Sequence, residues 1–308
     1  LTYIFFVLLL YILLSYKYID KVKYRKWLYF LPLIFLLWAN SHMGVLAGGL
    51  ILFVFTLSET ITYFKPSSFT SSEIKALSKT ELRNLWIISI VSAVMLLVNP
   101  HGISTYIYAY SHTKMKMLES VNEWQSPFSS KLDFGFIITL YKIFIFSGIL
   151  VLYYAFKKKD LFFALMFISF AIYSVRAIRF TVDYELIMSV FIIISISYIL
   201  SQIRSTGFRK SYNGNVLKGA LAVFIIYIIA LIPNNEIYQK IQYYRVSGWG
   251  INTDFIPVHL FDFMKENNIS GTPYNHFGTG GYLVWNFPNE KNFIDSRNLN
   301  DEIHNEYS

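Results

Sequence analysis

The sequence predicts an all-α polytopic membrane protein of about eight transmembrane helices, followed by a small extracytoplasmic α/β unit at the C-terminus. Three observations predict it. The 308 residues are 55% apolar and 15% charged, with a mean hydropathy of +0.43, whereas soluble domains carry about 25% charged residues. Apolar runs long enough for membrane helices recur through residues 1–232. The loops between those runs alternate between basic and balanced or acidic. Disorder is excluded by the abundance of Phe, Tyr, Ile and Leu. The absence of cysteine removes disulfide scaffolds, thiolate zinc sites and cysteine nucleophiles together.

The runs are 1–16, 27–39, 43–62, 86–98, 135–156, 161–175, 184–201 and 217–233. Residues 1–16 have the hydropathy of a signal-peptide core, but no small-residue cleavage site follows, so a span is the better reading. A hydrocarbon core of about 30 Å takes about 20 helical residues. Runs 27–39, 86–98 and 161–175 are shorter than that, and six crossings with a re-entrant pair is the competing arrangement. Trp27, Tyr29, Trp38 and Trp86 flank the short runs as interfacial aromatics do. Residues 1–232 are therefore assigned to the membrane domain and 233–308 to the tail. The chain opens at Leu1 within an apolar run and ends at Ser308 within a polar one, which reads as a fragment at both ends.

Charge sets the orientation. Loops 17–26, 63–85, 157–160 and 201–218 hold 16 of the 27 lysines and arginines. Loops 99–134 and 176–183 hold five, against Glu119, Glu123, Asp133 and Asp183, and the tail has five basic and nine acidic residues. The positive-inside rule puts the basic loops in the cytoplasm and the tail outside. The net charge of +8 is thus a topology signal rather than a nucleic-acid footprint.

Four polar clusters then fall on the outer side. They are Trp38–Gly44 with Asn40 and His42, Asn99-Pro100-His101-Gly102, Glu123-Trp124-Gln125-Ser126-Pro127, and Arg176 with Arg179 and Asp183. Ionisable groups at membrane depth need partners or a task, and a shared side suggests one outward cavity. Plainer readings stand beside this one. His42 and His101 can bond backbone at helix ends, Asn99-Pro100 can be a helix stop, and Glu123 can be an ordinary loop residue. Arg176, Arg179 and Asp183 have the spacing of one helical face. On it Arg179 either pairs with Asp183 or joins Arg176 in binding phosphate or carboxylate. Residues 103–124 carry a helical apolar stripe opposite Lys114, Lys116 and Glu119, expected along the membrane surface or packed on the protein.

In the tail, Thr253-Asp254 and Pro257 signal a helix start, with Val258, Phe261 and Met264 on one face. Gly281–Phe287 and Asn292–Asp295 read as strands separated by Pro288-Asn289. The glycine turn at 278–281 lacks the Lys-Ser/Thr of a phosphate loop.

The segments WANSHMG, NPHG, EWQSP, the paired arginines and GGYLVWNFPNEKNFIDSRN occur in that order. Together they resemble bacterial polytopic proteins of the glycosyltransferase C superfamily. The resemblance implies inverting transfer of a sugar from a polyprenyl-phosphate-linked donor at the outer face of the inner membrane. It places the usual catalytic acid in a first outer loop that would precede Leu1. What carries over is Glu123, His42 and His101 as candidates for catalysis, and Asn40, Arg176, Arg179 and Asp183 as candidates for substrate binding. The expected partners are the lipid bilayer and the lipid-linked sugar. No cofactor is implied, and a divalent metal stays open. The alternatives are a transporter or flippase for a lipid-linked or anionic substrate, using the same arginines in an outward cavity, and a non-catalytic membrane subunit.

Overall fold

The computed structural model describes residues 1–71, 74–119, 121–130, 135–205, 214–240, 247–253 and 256–295. Its elements are helices. In order they are α1 (Thr2–Leu14), α2 (Lys21–Leu28), α3 (Leu31–Ala39), α4 (Val45–Phe64), α5 (Pro66–Phe69), α6 (Lys79–Met95) and α7 (Ser104–His112). After these come α8 (Gly135–Phe146), α9 (Gly148–Lys158), α10 (Leu161–Ser174), α11 (Thr181–Ser205) and α12 (Gly214–Leu231). The last three are α13 (Glu236–Lys240), α14 (Val258–Glu266) and α15 (Gly280–Asn286). Four helical stretches are long and apolar enough to cross a membrane: Thr2–Ile19, Val45–Phe64, Ile138–Lys158 and Ile178–Gln202. Leu161–Ser174 and Ala222–Leu231 are shorter apolar helices.

The chain divides into two compact units, Leu1–Ala109 with Asn122–Ser211, and Tyr110–Val121 with Tyr212–Ser308. The first is a helical bundle whose core is aromatic. Trp38 is fully buried, stacks on Phe5 at 5.3 Å, meets Phe6 edge-on at 5.0 Å, and donates its indole N–H to the Thr2 hydroxyl at 3.2 Å. Gly48 makes this possible, because a Cβ there would run into the Trp38 ring. Polar pairs tie helices inside the apolar bundle: Thr56 to Ser89 at 2.8 Å joins α4 to α6, and Tyr141 to Ser174 at 2.7 Å joins α8 to α10. The outward faces are also apolar. Ile4, Val7 and Leu8 on α1, Ile87, Ile90 and Val94 on α6, and Ile193 on α11 are all exposed. A bundle apolar on both faces is one solvated by lipid.

The run 27–39 is not one helix. Its first two residues close the basic helix α2, a turn follows at Tyr29-Phe30, and α3 has nine residues. Nine residues reach about 14 Å, half of a hydrocarbon core. Pro32 in the first turn of α3 explains the restart, since proline starts a helix and disfavours helical backbone before it. The stripe at 103–124 is likewise broken. It becomes α7, then short 3-10 turns at Lys116–Glu119 and Asn122–Trp124.

In the second unit, α14 begins after Pro257 as expected and buries Phe261, while Asp254 lies outside the described residues. The strand expectation is corrected, for no strand occurs among the described residues. Gly280–Asn286 is helical, burying Leu283 and setting Tyr282 edge-on to Phe261 at 5.0 Å. Residues 292–295 are held by a side chain instead of a ladder. Asn275 accepts from the Phe293 N–H at 2.9 Å and donates to the Ile294 carbonyl at 2.7 Å. A short apolar run fits helix or strand until its partner is known. The end of the resemblance motif, residues 296–298, lies outside the described residues.

Candidate functional site

The candidate site is built at the end of the first unit where α10 stops and α11 begins. Helix α10 ends at Ser174, Ala177 is extended, and a 3-10 turn at Ile178–Phe180 leads into α11. The loop before α8 meets the chain at this break. The Ile178 N–H donates to the Gln125 carbonyl at 2.9 Å, and the Ser126 hydroxyl donates to the Val175 carbonyl at 2.8 Å. Arg176 and Arg179 therefore do not share one helical face, which corrects the spacing argument. A backbone pairing from a distant loop has replaced the helix's own bonds.

Arg179 turns to that loop. Its guanidinium lies 4.3 Å from the Trp124 ring centroid and 3.5 Å from Glu123 Oε1. Both charges are substantially exposed, so the ion pair alone contributes little; the aromatic face orients the guanidinium. Trp124 in turn meets Phe180 edge-on, and Phe180 stacks on Tyr173 at 4.4 Å. The Tyr173 hydroxyl donates to Asp183 Oδ2 at 3.0 Å. Asp183 thus takes Tyr173 rather than Arg179 as its hydrogen-bond partner, although Arg179 and His42 both act on it electrostatically.

His42 is exposed at the turn before α4, with Nδ1 accepting the Gly44 N–H at 2.9 Å. That bond fixes the neutral ring as the Nε2–H tautomer. Asn40 donates to the carbonyls of Leu36 and Val98 at 2.8 and 2.7 Å, binding the hairpin tip to the end of α6. Next to it, Asn99 spends its side chain on the loop. It donates to the Leu96 and Gly102 carbonyls and accepts from the His101 N–H and the Thr105 hydroxyl. Gly102 has a φ of +52°, the left-handed backbone that favours glycine. His101 is held by its backbone, with its ring exposed.

The structure so gathers His42, Asp183, Arg179 and Glu123 into one electrostatic group and makes Asn40 a tie between helices. Arg176 is exposed and in no ion pair among the described residues. Among the described residues, the Arg176 and His101 side chains make no hydrogen bond or ion pair with the group. No set of three metal-binding side chains occurs among the described residues.

No family model, curated protein or solved structure matches this chain.

Chemically, the group offers carboxyl groups, an imidazole and a guanidinium against an aromatic wall. Those groups can move a proton and hold an anion. Tyr173 and Phe180 carried no motif that singled them out in the sequence, and they join the site through the break after Ser174.

A second polar cluster lies at the opposite end of α10. Helix α1 continues as a π turn over Ser15–Ile19 that carries Lys17 and Tyr18. Lys17 Nζ sits 2.5 Å from Glu59 Oε1 and 3.2 Å from Asp160 Oδ1, and Tyr18 donates to Asp160 Oδ2 at 2.6 Å. Asp160 also caps α10, accepting the Phe162 N–H at 3.2 Å. The three charged side chains are at most 8% exposed. Its one signal in the sequence is Glu59, an acid inside the run 43–62.

Proposed function

We propose that this chain is an integral membrane transferase that takes a sugar from a polyprenyl-phosphate-linked donor, with its site at the end bearing Arg176 and Arg179. In this reading the chain crosses the inner membrane eight times, and that end and the tail lie outside. The observation that carries it is the posture of Arg179, oriented by Trp124 beside Asp183 and His42, with Arg176 three residues earlier. A departing phosphate needs fixed cations, and planar guanidinium groups supply charge-assisted bonds to its oxygens. Asp183, His42 and Glu123 are the candidate bases for the acceptor hydroxyl, with His101 a fourth. The resemblance described above points the same way.

The test is binding of a short-chain polyprenyl phosphate to the purified chain in nanodiscs. Arg176→Lys with Arg179→Lys keeps the charge and removes the planar donors, so affinity falls at least about ten-fold. Unchanged affinity rejects the site. Tight binding with no sugar transfer, together with donor movement across vesicles, moves the function to transport.

A further inference from the structure

A cavity of about 550 Å³ opens in the first unit at the end of the bundle opposite the arginines. Its walls are apolar, from Phe69, Leu152, Phe156 and Ala164, and Lys157 and Lys159 stand at its rim. Both lysines are exposed and in no ion pair among the described residues. Lys157 rests near the Tyr153 ring, and Lys159 reaches the Ser67 carbonyl at 3.4 Å. The one acid of the lining, Asp160, is engaged by Lys17 and Tyr18. Among the described residues, the rim therefore presents positive charge without a paired acid above an apolar hollow.

The cavity lies at the last turn of Ile138–Lys158, a helix pair long and apolar enough to cross a membrane. Its wall runs on into Ile149, Tyr153 and Phe156, which are exposed. An apolar hollow at the end of a span that continues into exposed apolar side chains meets acyl chains, and the lysines sit at headgroup depth. We infer that this cavity binds one anionic phospholipid, with an acyl chain against Leu152, Phe156 and Ala164 and the phosphate between Lys157 and Lys159. Basic pockets between membrane helices select anionic headgroups in this way. The inference rests on the membrane reading and is independent of the transferase proposal, whose site is at the other end of α10.

The test is native mass spectrometry of the purified full chain equilibrated with equal phosphatidylglycerol and phosphatidylcholine. The chain retains phosphatidylglycerol preferentially. Lys157→Gln with Lys159→Gln reduces that preference by roughly ten-fold or more, from about five-fold per lysine. Ala164→Phe fills the hollow and removes the retained lipid, and Lys23→Gln with Lys26→Gln on α2 leaves the preference intact. A preference unchanged by the Lys157 and Lys159 substitutions overturns the inference. So does an equal loss in the α2 variant, which means general surface charge. Displacement by glycerol phosphate at millimolar concentration also overturns it, since the headgroup alone would then carry binding. If Ala164→Phe fails to fold, the lysine pair decides.

Discussion

Replacing Lys17 with Met should destabilise the bundle more than any surface substitution, and the size of the effect follows from its surroundings. The ammonium is the shared partner of Glu59 and Asp160, whose side chains are 3% and 0% exposed. Without it Asp160 keeps the Tyr18 hydroxyl and the Phe162 N–H, whereas Glu59 loses its one hydrogen-bond partner among the described residues. Breaking a buried ion pair from one side costs about 3–5 kcal/mol. At about 2–4 °C per kcal/mol for a domain of this size, the melting temperature falls by roughly 6–20 °C. Glu59→Gln on the Lys17→Met background removes the stranded charge, and the double variant recovers at least about 1 kcal/mol relative to the sum of the singles. Thermal unfolding of the four proteins in one detergent measures the cycle. Additive losses, or a Lys17→Met shift within about 2 °C of wild type, would refute the argument that these charges depend on one another.

Two further outcomes follow from features outside the spans. Burial raises the Glu81 carboxyl, but the Ser78 backbone and hydroxyl bonds and then Lys21 outweigh it and hold the group below its ordinary value. A lowered carboxyl stabilises the fold above the ordinary carboxylate range, and that contribution is lost as pH falls through the folded value. Glu81→Gln should thus cost about 1 kcal/mol near neutrality, with the melting curves of variant and wild type converging in acid; a pH-independent gap would contradict it. For topology, single cysteines at Ser67 and Ser270 can be placed in a chain with none of its own. An impermeant maleimide should label Ser270→Cys in intact cells and spare Ser67→Cys, and labelling at 67 alone inverts the orientation.

What the sequence could disclose was what local chemistry decides. Pro32 restarts a helix and Pro257 opens α14, each through a backbone constraint written at that position, while α6 has already ended at Met95 when Asn99-Pro100 is reached. The break after Ser174 had no such mark, because Val175, Arg176 and Ala177 are all compatible with helix. It exists because Gln125 and Ser126, some fifty residues earlier, take over the backbone groups there. The spacing of Arg176, Arg179 and Asp183 consequently misled, and the aromatic seat of Arg179 was invisible. At Gly280–Asn286 the apolar pattern suited either period, and packing of Tyr282 on Phe261 decided it. The Lys17 cluster escaped for another reason. By sequence Lys17 and Asp160 fall in segments whose basic residues signal topology, and only the three-dimensional arrangement brings Lys17 to both Glu59 and Asp160.

That cluster also has a bearing on how the chain is made. Lys17 and Tyr18 leave the ribosome long before Asp160, which lies 142 residues after Tyr18. At about 5–20 residues per second, α1 waits roughly 7–28 s for its second counter-charge. Until Glu59 and then Asp160 are made, its ammonium is kept in water or among headgroups by snorkelling. Full docking of α1 is therefore tied, through Lys17 and Tyr18, to the arrival of Asp160 at the start of α10.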